Sequence, residues 1–332
     1  MILHPAIVAL LLVSFLITGM TLYSAFFGIT IIRKWDLHSG SEEQLMLERR
    51  TYLISTVLAY VLAFQIGSLF LYIHTADALH NQFVGAMCAA GTLNADPYGY
   101  PALLLKILNV ILAGLWLVIN YADSRAYDYP LIRIKYAMLL LMAPLIANEA
   151  IAQTLYFLQL KADVITSCCG SLFSSEGAGV SSDLAAVPPK VAIPVFYLSF
   201  ALVFAPGVAC WLKGKLAGFF SLASGLFFLV ACVSFVSFIS LYFYELPTHH
   251  CPFCVLQREY GYIGYVLYAA LLTGAVSGLG VGVLRPFKGI GSLSRNLPMI
   301  QKRLTLVCLI SYILFTGISL YRILTTDFTL AG

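Results

Sequence analysis

One octapeptide of this 332-residue chain gathers residue types that do chemistry together: Cys251-Pro252-Phe253-Cys254-Val255-Leu256-Gln257-Arg258. Two thiols separated by two residues close a reversible disulfide or hold a soft metal ion. A proline directly after the first cysteine suits the first turn of a helix. If the apolar segment that follows is helical from there, Cys251 lies near its N-terminus, where the helix dipole favours the thiolate. Arg258 then falls one helical turn beyond Cys254 on the same face. A cation there stabilises a thiolate or receives an anionic or quinoid head group; its plainer role is a snorkelling residue at a membrane interface.

The elements that position this octapeptide are read from composition. Hydrophobic residues make up 61% of the chain and charged residues 10%, against about 25% charged in soluble domains. Several runs exceed the roughly 20 apolar residues that cross a bilayer, and none shows strand-type alternation. The fold class is all-α: a polytopic membrane protein with spans at about 6–32, 52–74, 101–121, 134–160, 191–212, 216–243, 259–284 and 303–325. We read residues 1–332 as a single transmembrane helical domain with longer outer loops at about 75–100, 161–190 and 244–258.

Basic residues cluster in alternate loops: Arg33, Lys34, Arg49 and Arg50; Arg125, Arg133 and Lys135; Lys213 and Lys215; Arg285, Lys288, Arg295, Lys302 and Arg303. The positive-inside rule makes these loops cytoplasmic and puts both termini outside, in an inner-membrane topology. The N-terminus has neither a basic leader nor a small-residue cleavage site and reads as an uncleaved first helix. The net charge of +4 says nothing of nucleic acid, and no nucleic-acid partner is expected; the distribution of charge over the loops sets orientation, and lipid is the expected surroundings.

The cysteines then sort by side. Cys210, Cys232 and Cys308 fall inside spans and read as small hydrophobes. Cys88, the adjacent Cys168 and Cys169, and the Cys251/Cys254 pair all fall in outer loops, where disulfides form and persist. Two structural disulfides with one spare thiol would account for them. Adjacent cysteines pair poorly with each other, so Cys168 and Cys169 suit different partners or a reactive dithiol.

The run Cys-x-x-Cys-apolar-x-Gln-Arg resembles the motif of the DsbB/BdbC-type quinone-linked disulfide oxidoreductases. The resemblance covers about eight residues. It implies that Cys251 and Cys254 are the quinone-proximal redox pair, that Arg258, with Gln257 beside it, lies by the quinone, and that an outer thiol or redox protein is the partner. That family has four spans, and its second outer cysteine pair follows the motif; here the other outer cysteines precede it. A relay in this chain would draw on Cys88 or on Cys168 and Cys169.

Other residues allow other chemistry. His249 and His250 precede Cys251 and, with the thiols, make a donor set suited to copper or another soft metal. A b-type haem between His74 and His249 or His250 is a further alternative, with His80 nearby. Glu149, near the middle of the fourth span, is an intramembrane carboxylate. It could move a proton to a quinone, line a transport route, or sit protonated between helices. Gln153 lies one turn onward; Lys106, in the third span, is a possible partner but is expected to snorkel outward. The stretch from Phe83 to Ala90 is apolar but too short to span, so Cys88 is expected on a re-entrant or surface-lying piece.

Overall fold

The computed structural model describes residues 3–36, 39–161, 165–166, 173 and 180–330. Among the described residues, eight helices are long and apolar enough to cross a membrane. We label the helices α1 (Pro5–Lys34), α2 (Glu42–Ala78), the short α3 (Ala89–Asn94), α4 (Gly99–Asp123), α5 (Ile132–Gln159), the short α6 (Val180–Ala185), α7 (Pro189–Lys213), α8 (Ala217–Ser234), its continuation α9 (Ser240–Tyr244), α10 (Ile263–Val283) and α11 (Leu297–Thr325). The described residues contain no strand. In a bilayer every backbone group must be satisfied within the protein, and helices do this within each span. The chain is therefore an all-α, multi-pass membrane protein, and each expected span coincides with one of these helices.

Packing divides the chain into two compact units: Met1–Thr75 with Asp96–Lys161 and Pro286–Ile300, and Ala76–Ala95 with Ala162–Arg285 and Gln301–Gly332. In the first, α5 packs against both α1 and α4. Its core holds Trp116, Tyr136, Leu58, Leu62 and Met142, all buried. Polar pairs are buried there too. Lys106 Nζ lies 2.6 Å from Glu149 Oε1, with both side chains 1% exposed. Lys135 Nζ lies 2.9 Å from Asp123 Oδ2. Lys106 therefore does not snorkel: the carboxylate arriving from α5 is a better partner than a distant interface. Lys135, counted with the loop charges, is likewise a buried partner inside the unit.

In the second unit α8 is central, packed against α7 and α10. Phe227 of α8 stacks edge-on against Tyr312 of α11, with centroids 4.7 Å apart. Helices in lipid approach closely where side chains are small. A Cβ at Gly278 of α10 would overlap the Ser224 hydroxyl of α8, so only glycine permits that contact. Between α8 and α9 the backbone opens into a π-helical turn, Phe235–Ile239, all five residues buried.

Candidate functional site

The second unit brings to one point three of the five cysteines expected between spans. The Sγ atoms of Cys88, Cys251 and Cys254 all lie within 4.8 Å of one another, and all three residues are buried. Cys88 Sγ is 3.6 Å from Cys251 Sγ. These residues are 163 apart in sequence, so the cluster is built by tertiary packing. Cys168 and Cys169 lie outside the described residues.

Cys88 is held by the segment between α2 and α4. It N-caps α3, its sulfur accepting from the Ala90 N–H at 3.4 Å. Gly85 turns the chain with φ +91°, and a Cβ there would overlap the Thr166 carbonyl. Thr166 donates its N–H to the Val84 carbonyl and its hydroxyl to the Gly91 carbonyl, at 3.0 and 2.8 Å. These bonds pack the segment as a folded piece with the short helix α3.

The Cys251/Cys254 loop has another architecture than a helix start. Cys251 has no helical conformation, Cys254–Leu256 form a 3₁₀ turn, and the helix begins only at Ile263. Gly261 and Tyr262 are both left-handed, at φ +61° and +57°, and reverse the chain before α10. The expected placement of Cys251 at the N-terminus of the seventh span is therefore corrected. So is the alignment of Arg258: Gln257 is extended, at φ −80° and ψ 163°, which breaks the i, i+4 relation to Cys254. Arg258 is exposed.

Two tyrosine hydroxyls and polar side chains fix this loop. Tyr244 Oη donates to the Cys251 carbonyl at 2.6 Å and accepts from the Val255 N–H at 2.9 Å. Tyr268 Oη donates to the Pro252 carbonyl at 2.5 Å. His250 donates from Nδ1 to the Val236 carbonyl at 2.9 Å. That carbonyl belongs to the π turn, whose i→i+5 pattern loosens the regular ladder and makes room for an outside donor. Gln257 donates its amide to Asp77 Oδ1 at 3.2 Å and to the Met87 carbonyl at 2.9 Å. Asp77 Oδ1 also accepts from the Ala89 N–H at 3.1 Å. Gln257 thus ties the Cys251/Cys254 loop to the Cys88 segment.

His249 Nε2 lies 3.3 Å from Cys254 Sγ. Its ring stands edge-on to Tyr244, with centroids 4.6 Å apart, and Tyr244 in turn meets Tyr260 at 4.9 Å. Burial, then the neighbouring Cys254 and Glu259, push the Tyr260 phenol up against an opposing Arg322, which keeps it a hydrogen-bond donor. Tyr244 and Asp77 carry no motif in the sequence, and Tyr268 stands there only as one of an aromatic cluster with Tyr260, Tyr262 and Tyr265. An aromatic ahead of the cysteines and one behind them look like ordinary interfacial residues in the sequence.

Glu149 belongs to the first unit and the thiols to the second. Its two oxygens receive Lys106, Gln65 Nε2 at 2.5 Å and Asn109 Nδ2 at 2.6 Å. Gln153 turns away from it and donates to the Leu10 carbonyl at 3.2 Å. His74 is on an exposed face of α2, and His80 turns its Nδ1 onto the Asp77 carbonyl.

Set beside known proteins, the chain matches no family model, no curated protein and no solved structure.

Proposed function

We propose that this chain is a membrane thiol–disulfide oxidoreductase that passes electrons from an outer thiol protein to a membrane quinone. The observation that carries this reading is the convergence of three buried thiols, with Cys88 Sγ 3.6 Å from Cys251 Sγ. Reacting atoms about 3–3.5 Å apart are poised for attack. With Cys251 and Cys254 joined, the Cys88 thiolate attacks Cys251. A Cys88–Cys251 bond forms, the Cys251–Cys254 bond breaks, and Cys254 leaves as a thiolate. An outer dithiol then reduces the Cys88–Cys251 bond and becomes a disulfide. Quinone afterwards takes two electrons and two protons from the Cys251/Cys254 dithiol, which closes again as quinol forms. The basic loops on the opposite side favour an inner-membrane protein with these cysteines facing outward.

A second reading, capture of a soft metal such as copper, is favoured by the same thiols with His249 Nε2 3.3 Å from Cys254 Sγ. Three mutually close sulfurs suit such an ion, and the imidazole borders one of them. Two thiolates sharing one tetrahedral zinc-sized ion stand ~3.8 Å apart, close to the 3.6 Å between Cys88 and Cys251.

Mass-tagged maleimide labelling of the reduced, metal-free protein in detergent separates the two. Addition of a quinone is expected to remove two labelled thiols, and Cys254→Ala to abolish that loss. A Cys254→Ala chain that still loses two thiols to quinone refutes the assignment of Cys254 to the quinone-linked pair. Thiols indifferent to quinone but shielded by added Cu(I) establish metal capture in its place.

A further inference from the structure

A cavity of about 680 Å³ opens on the flank of the second unit, beside the cysteine loop. Phe243, Ile263 and Leu314 are among its apolar walls; Glu259, Tyr260, Tyr321 and Arg322 carry its polar groups. A concave, mostly apolar site with a few convergent polar groups is the usual form of a small-molecule site. Its volume is that of a ring with part of an alkyl tail, and its walls are helices that would face lipid.

Arg322 stands near the end of α11 and is held in place. Its Nε donates to the Tyr242 carbonyl at 3.1 Å, and its Nη2 reaches the Phe243 carbonyl and Glu245 Oε1 at 3.4 and 2.9 Å. A guanidinium has five N–H donors in a fixed fork, so these bonds leave Nη1 for a further acceptor. Tyr260 connects the cavity to the thiols: its ring packs on Tyr244, which packs on His249, which contacts Cys254.

Resting on the quinone-linked reading above, we propose that this cavity binds the quinone ring, with Arg322 and Tyr260 as donors to its carbonyl oxygens and the alkyl tail leaving between α10 and α11. Arg322, from the last span, takes the role that the motif alone gave to Arg258. The overall step balances as before: two S–H bonds of Cys251 and Cys254 break, one S–S bond forms, and the two quinone oxygens become hydroxyls. The binding claim concerns where the acceptor sits, and Arg322 and Tyr260 are positioning groups for it.

Gly317 gives the test, because it lines the cavity and a Cβ there meets nothing within 4 Å. A Cβ at this position therefore enters open space, and Gly317→Phe directs a ring into the cavity. Reduced protein is mixed with decylubiquinone, and thiol loss is followed by mass tagging; diamide, a soluble oxidant, is run in parallel. Gly317→Phe and Arg322→Gln are expected to raise the half-saturating decylubiquinone concentration ~10-fold or more, the loss of about one good polar contact or of the ring's space. Diamide oxidation should stay within twofold of wild type. If Gly317→Phe loses diamide reactivity as well, Leu314→Trp, one turn earlier on the same wall of α11, narrows the cavity and replaces it. Wild-type-like saturation by decylubiquinone in folded cavity variants overturns this site while leaving the oxidoreductase reading intact. A wild-type protein that diamide oxidises and decylubiquinone does not overturns both.

Discussion

Tyr244→Phe isolates what holds the cysteine loop. The substitution keeps the ring, and with it the contacts to His249 and Tyr260. It deletes two buried hydrogen bonds, to the Cys251 carbonyl at 2.6 Å and from the Val255 N–H at 2.9 Å. Each such bond contributes about 0.5–1.5 kcal/mol net, more where the abandoned group finds no substitute. Two of them put ~1–3 kcal/mol on local opening of the loop, a rise of ~5- to 150-fold in the open population. Labelling of the reduced thiols by a bulky maleimide reads that population directly when opening is fast. Tyr268→Phe deletes one bond, to the Pro252 carbonyl, and should accelerate labelling only ~2- to 13-fold. The order matters as much as the size. Tyr244→Phe labelling within twofold of wild type, or slower than Tyr268→Phe labelling, refutes the idea that the tyrosine hydroxyls hold the loop closed over its thiols.

Two further predictions concern the units themselves. Lys106→Met strands the Glu149 carboxylate, whose 2.6 Å ion partner it removes; breaking a buried pair costs ~3–5 kcal/mol. Adding Glu149→Gln should restore most of that stability in detergent unfolding curves, and a double variant as unstable as the single one would show that charge is not the cause. Gly278→Leu forces a side chain into the Ser224 hydroxyl and should cost ~1–3 kcal/mol by overpacking. Gly19→Ala, where a Cβ meets nothing within 4 Å, should leave the unfolding midpoint unchanged and serves as its control.

The spans were legible because long apolar runs are a one-dimensional signal that bilayer thickness imposes. The start of the seventh was misread for a local reason. Glu259-Tyr260-Gly261-Tyr262 continues smoothly into apolar sequence, yet two consecutive left-handed residues delay the helix to Ile263. That delay undid the helical reading of Cys251 and Arg258 together. Lys106 was misread because its partner, Glu149, is 43 residues away on another helix. The Cys251/Cys254 pair declared itself by spacing, whereas the nearness of Cys88 depends on Gln257 reaching Asp77 and Met87, contacts spanning 180 and 170 residues. The cavity at Arg322 had no signature, since its walls come from three separate stretches.

The π turn at Phe235–Ile239 has a consequence beyond the carbonyl it offers His250. A π turn fits one more residue into a stretch that a regular helix fills with one fewer. Every residue after it is therefore rotated by about 100° relative to an uninterrupted helix. Tyr244 lies five residues past the turn, so the direction its hydroxyl faces is set by that single surplus residue. The aim of the loop's anchor is thus encoded as chain length. Exchanging Phe235, Val236 or Ile239 for other apolar residues preserves it, while an insertion or deletion of one residue anywhere between Ala217 and Ser240 swings the tyrosine off the cysteine loop and leaves the hydrophobic profile of the span unaltered.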